Sequence, residues 1–175
     1  MIKLGFTDEM IECLSSLKGK KLKSFEWESI EPNRFPMFAV RINTGRFAID
    51  VTCEVRDDIP EEYEDISNFE CEKKELNSIF YYDTSTKQYA INEVIRNVSI
   101  VTDEVVISGE KYCNIDVALL IQTDYSTYAI SKTWFMGEVI EVNYEGKYYS
   151  EEKALKDWEG SSDEEVSLKR RIRRL

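Results

Sequence analysis

From Phe47 to Arg56 the chain alternates without a break. Phe47, Ile49, Val51, Cys53 and Val55 hold one parity, and Asp50, Thr52, Glu54 and Arg56 hold the other. Successive side chains of an extended strand point to opposite faces, so this stretch buries one face and presents the other to polar surroundings. Phe38, Val40 and Ile42 alternate in the same way just upstream, with Asn43-Thr-Gly-Arg46 between the two runs. Two alternating runs around a short glycine-containing turn predict a β-hairpin.

The beginning of that second run, Phe47-Ala-Ile-Asp50, returns as Tyr89-Ala-Ile-Asn92 and as Tyr128-Ala-Ile-Ser131. Each copy follows a β-like run and a polar turn. Each is therefore expected to open the return strand of a hairpin, with the aromatic ring and the isoleucine facing the core. Period-two constraint alone produces such a pattern, so three similar hairpins in a meander are preferred over internal duplication.

Other segments extend the pattern. Phe25 and Trp27 alternate with glutamates, and Ile140, Val142 and Tyr144 alternate with Glu141, Asn143 and Glu145. Val117-Ala-Leu-Leu-Ile121 is apolar at both parities, as a central strand is. Thr7 followed by Asp8 and Glu9, with Met10, Leu14 and Leu17 at helical spacing, predicts a short capped helix. Ser150-Glu-Glu-Lys153 opens a second one carrying Ala154, Leu155 and Trp158. Residues 166–175 fit a strand or a helix, and a final strand is expected.

The fold class that follows is α+β, mostly β: an antiparallel, hairpin-rich twisted sheet or open barrel. Two short helices are expected at about 7–18 and 150–158, all within one domain over 1–175. The expected core includes Phe47, Ile49, Val51, Tyr89, Ile91, Leu119, Ile121, Tyr128, Ile130 and Trp134.

The missing residue types narrow the chemistry. The 175 residues contain no histidine, which removes His-based catalytic triads and His-containing metal sites. Seven scattered glycines form neither a P-loop nor a dinucleotide fingerprint. Cys13, Cys53, Cys71 and Cys113 contain no Cys-x-x-Cys pair and read as small buried hydrophobes. With no signal-like segment and no apolar run of membrane length, the expected location is cytoplasmic. No cofactor is expected.

Charge points to the kind of partner. Lys and Arg number 23 against 34 Asp and Glu, a net −11. Five of the basic residues fall in the last seven positions. Residues 1–168 thus carry −16, with 18 basic against 34 acidic side chains. A body of this charge repels phosphate backbone, so neither direct nucleic-acid binding nor a membrane is expected. Arg170, Arg171, Arg173 and Arg174, within the basic element 162–175, are expected to pair with the protein's own carboxylates or a partner rather than with DNA.

Residues 57–75 form an acidic excursion, nine carboxylates against two lysines. Asp57, Asp58, Glu61, Glu62, Glu64 and Asp65 are the candidate partner-binding residues. Tyr63 among them either anchors the partner or folds back over the sheet. The function expected is that of a non-enzymatic binding or inhibitor protein acting on a basic protein, which in turn could be a nucleic-acid-binding protein. In composition alone the chain is similar to toxin-immunity proteins and to phage anti-defence inhibitors. The alternative is a carboxylate-based, Mg-dependent enzyme or small-molecule-binding domain, for which adjacent acids such as Asp57-Asp58 would supply too few ligands on one face. A third possibility is an assembly protein whose sheet edges pair with copies of itself.

Overall fold

A computed structural model describes residues 2–28, 38–80 and 86–175. Its elements run β1 (Ile2–Leu4), α1 (Asp8–Ser15), β2 (Lys21–Glu28), β3 (Ala39–Asn43), β4 (Ala48–Glu54), a single 3-10 turn (Glu61–Tyr63) and β5 (Asn68–Lys74). There follow β6 (Thr86–Ile107), β7 (Glu110–Thr123), β8 (Thr127–Lys132), β9 (Ile140–Asn143), α2 (Glu151–Glu159) and β10 (Val166–Arg174). Over these described residues the protein is mostly β, built as one open sheet of ten strands with the path β5-β4-β3-β2-β6-β7-β8-β9. β10 lies antiparallel on β6, and β1 is the parallel exception, on β7.

Both helices start where their caps place them. Thr7 Oγ1 accepts from the Met10 amide at 3.3 Å, and Ser150 Oγ from the Lys153 amide at 3.2 Å. Each satisfies an amide that the first helical turn leaves without a partner. α1 buries Leu14, and α2 buries Ala154 and Trp158.

The 22-residue β6 organises the sheet. Its first half pairs with β2, and its second half lies between β7 and β10. A strand this long bends to follow a core, and β6 carries irregularities on both sides. Opposite Lys23 its register shifts, with Asn92 at φ 66°. Against β7 it shifts three more times. Such bulges kink a strand and increase its twist. β6 turns into β7 through Ser108 and Gly109, at φ 50° and 80°, the two left-handed residues that a tight two-residue hairpin requires.

Two groups of buried residues result. The first gathers Phe25 and Trp27 of β2, Val40 and Ile42 of β3, Ile49 and Val51 of β4, Leu119 and Ile121 of β7, and Ile130 of β8 under Leu14 and Leu17. Coiling brings distant strands together. The Phe25 ring meets Tyr128 edge-on at 5.6 Å, and Phe6 stacks on Phe69 at 4.9 Å. The second group lies at the other end of β6 and β7, where Val101, Val105, Cys113 and Ile115 pack with Phe135, Tyr149 and Trp158.

The outer face of β3 and β4 is also covered. Arg41 donates to both carboxylate oxygens of Asp50, at 2.7 and 2.9 Å, and to the Ser78 carbonyl at 2.8 Å. Phe80 lies beneath its guanidinium, 4.9 Å from Cζ to the ring centre. Lys132, at the end of β8, is fully buried. Its Nζ donates to the carbonyl oxygen and the hydroxyl of Ser67 and faces the Phe69 ring.

The first and third aromatic-Ala-Ile segments open return strands, in the β3–β4 and β7–β8 hairpins. The second does not open one: it sits inside β6 and pairs with β2, whose own sequence neighbour on the other side is β3. The polar turn expected before it lies partly outside the described residues. Tyr89 shares the face of Phe25 by register, yet it is 44% exposed at the open mouth of the sheet. One side of its ring is covered by Tyr144, at 4.2 Å. Ile91, at the bulge, and Phe47, at the strand's entry beneath Lys73, are half-buried. Trp134 is 43% exposed, because the turn after β8 sends Phe135 into the core in its place. Residues 166–174 form a strand. No helix among the described residues is long and apolar enough to cross a membrane.

Candidate partner-binding cleft

The acidic excursion resolves into three parts. Asp57 and Asp58 occupy an exposed turn after β4. Residues 61–63 form the 3-10 turn, whose polar residues Glu61 and Glu62 are exposed along with Glu64 and Asp65. From Asn68 onward the segment is β5, paired along its whole length with β4.

Tyr63 is not an exposed anchor. It is buried, folded back over the sheet. Its ring lies on that of Tyr112 in β7, with centroids 4.8 Å apart. The Tyr63 hydroxyl donates to the Tyr112 carbonyl at 3.3 Å, and the Tyr112 hydroxyl donates to the Glu62 carbonyl at 2.9 Å. Burial, with Glu62 close by, pushes the Tyr63 phenol up to about 12. A large ring in an otherwise polar hexapeptide thus serves to pin the excursion down.

What the pinning creates is a cleft of about 570 Å³ between the excursion, the tip of the β6–β7 hairpin and the end of α2. Its wall carries Glu62 and Asp65 from the excursion, Glu110 from the hairpin and Glu164 from the segment after α2. All four are exposed, and one cation, Lys111, lines the cleft with them. The floor is aromatic. Phe135 stacks on Trp158 at 3.9 Å with the rings 13° from parallel, and Trp158 meets Tyr112 edge-on at 5.9 Å. Ser108 holds the far wall: its hydroxyl donates to the Glu164 carboxylate and its amide to the Glu165 carbonyl.

Of the seven candidate residues, Glu62, Tyr63 and Asp65 line this cleft. Glu61 shares a shallow depression with Pro60 and Glu62 outside it, while Asp57, Asp58 and Glu64 line neither. Glu110, Glu164, Tyr112, Phe135 and Trp158 escaped the reading of the sequence. The one available signal was the second acidic run, Asp163-Glu-Glu165, which has no sequence link to the first.

Carboxylates above aromatic rings suit a cationic side chain. The carboxylates attract the charge, and half-buried Tyr112 offers partly open aromatic surface to its apolar stem, while Phe135 and Trp158, buried and stacked on each other, form the base. Among the described residues no three Cys, Asp or Glu side chains converge so as to hold a metal ion. Two of the four C-terminal arginines pair with the protein's own carboxylates, and Arg174 donates to the Asn97 side-chain oxygen. Arg170 grips buried Asp103 through two bonds of 2.6 and 2.7 Å and donates to the Tyr149 carbonyl, and Arg171 reaches Glu104 at 3.0 Å. No protein-family model, no curated protein and no solved structure matches this chain.

Proposed function

We propose that this protein is a non-enzymatic binding protein that takes a basic segment of a partner protein into the cleft between residues 62–65, the β6–β7 hairpin tip and the end of α2, and that it does so in the cytoplasm. The observation that carries the reading is the composition of that cleft: four carboxylates against one lysine, over a floor of Tyr112, Phe135 and Trp158. The net −11 of the chain supports it, because a field of one sign raises the encounter rate with an oppositely charged partner. An inhibitor of a nucleic-acid-binding protein is the variant of this reading that such charge favours, since phosphate-binding surfaces are themselves basic.

The test uses a fluorescein-labelled octa-arginine peptide and its octa-glutamate counterpart, titrated at 25 and 150 mM salt. Binding of the arginine peptide alone, weakening as salt rises, is expected. A rise in melting temperature with millimolar Mg²⁺ and none with the arginine peptide would instead favour the carboxylate-metal alternative.

A further inference from the structure

We propose that Cys13 and Cys71 form an oxidisable dithiol, a modification site at which a peroxide closes a disulfide between α1 and the edge strand β5. The proposal is independent of the cleft and of the partner proposed for it.

The sequence separates these cysteines by 58 positions, and the fold brings them together. α1 packs against β5, and both thiols lie against the first core. Cys71 Sγ donates to the Met10 carbonyl of α1 at 3.6 Å, three residues before Cys13 on the same helix. Cys71 faces inward by register, opposite Val51. Both side chains are half-buried, open enough for a small oxidant, whereas Cys53 and Cys113 are sealed in the interior. The pair is also chemically unequal. The neighbouring Cys71 thiol, with Lys73 nearby, brings the Cys13 thiol down to about 7, while the presence of Cys13 and burial push Cys71 up. Cys13 is therefore the nucleophile and Cys71 the resolving thiol.

The chemistry balances with one hydroperoxide. The Cys13 thiolate attacks an oxygen of the O–O bond; an S–O bond forms, the O–O bond breaks, and hydroxide leaves. Cys71 Sγ then attacks the resulting sulfenic sulfur. The S–S bond forms, the S–O bond breaks, and the Cys71 proton goes out with the leaving oxygen as water. Two thiols lose two electrons and the peroxide gains them. Among the described residues β5 pairs with β4 alone and is the edge of the sheet. The new bond would tie that edge to α1 as well.

The full chain is treated with one equivalent of hydrogen peroxide at pH 7.5, then unfolded, its thiols are titrated, and its peptides are mapped without reduction. The expected result is a fall from the four thiols of the sequence to two. A peptide linking Cys13 to Cys71 within one molecule should appear, and the melting temperature should rise by roughly 5 °C or more. Cys13 should be consumed at least about 10-fold faster than Cys53 or Cys113. In Cys71→Ser a dimedone adduct should accumulate on Cys13, and Cys13→Ser should remove the fast phase. Equal reactivity of all four cysteines, a bond between two molecules, or separate over-oxidation of Cys13 and Cys71 would overturn the proposal. The peptide map of the wild-type chain decides even if a variant misfolds.

Discussion

Tyr63 and Tyr112 clasp each other: each hydroxyl donates to a carbonyl of the other's segment, at 3.3 and 2.9 Å, while the rings lie against one another. One residue belongs to the acidic excursion and the other to β7, so this clasp sets the width of the cleft between them. Tyr63→Ala is expected to cost about 3 kcal/mol of stability, as large aromatic deletions from cores do. Tyr63→Phe keeps the ring and loses one hydrogen bond, for about 1 kcal/mol. Urea denaturation measures both. Equal stability of Tyr63→Ala and wild type would return Tyr63 to the surface.

A second prediction concerns the strand that closes the chain. Asp103 is fully buried and its carboxylate is gripped at both oxygens by Arg170, so β10 is held to β6 by charge as well as by its ladder. Asp103→Leu alone strands a guanidinium in the interior and should cost about 3–5 kcal/mol. Asp103→Leu with Arg170→Met removes both charges and should recover most of that loss. A double variant no better than the single one would show that the pair does not act as a unit.

Lys132 gives a prediction in pH. Its ammonium is pushed below its ordinary range by burial, so the unfolded chain holds the extra proton between the folded pKa and about 10.5. Stability should therefore rise with pH through that window, and the penalty for burial should be complete below the folded pKa. Lys132→Met is expected to stabilise the protein by about 1 kcal/mol or more at pH 6, with the gain shrinking towards pH 10. Urea midpoints across that range measure it. A gain that does not change with pH would mean that Lys132 keeps its proton at all these values.

Much of this architecture is legible in the sequence because strand period two is a local signal. Ile49 and Val51 are buried as the alternation requires, and Tyr128 and Ile130 follow the same rule. The failures have separate physical causes. Tyr89 occupies the right face, but the sheet stays open there, and no pattern along one strand reports how far a sheet closes. Trp134 and Phe135 are adjacent aromatics in a turn, where backbone geometry and not period decides which one goes inward. Lys132 is buried against its residue type. The cleft joins segments around residues 62–65, 107–112, 135–136 and 158–164. Each of these is ordinary alone, and only the long β6–β7 hairpin and the Tyr63 clasp bring them to one place.

The central claim, that the acidic cleft receives a cationic segment, is tested most directly by reversing charge inside and outside it. Glu62→Lys, Glu110→Lys and Glu164→Lys are combined in one variant. A control reverses Glu12, Glu75 and Glu159, which are equally exposed and lie outside the cleft. Both have the same net charge, so long-range attraction falls equally in each and the difference isolates the site. The measurement is the affinity for the octa-arginine peptide at 25 mM salt. The cleft variant should bind at least about 10-fold more weakly than the control, a difference of about 1.4 kcal/mol. Equal affinities in the two variants would contradict the account.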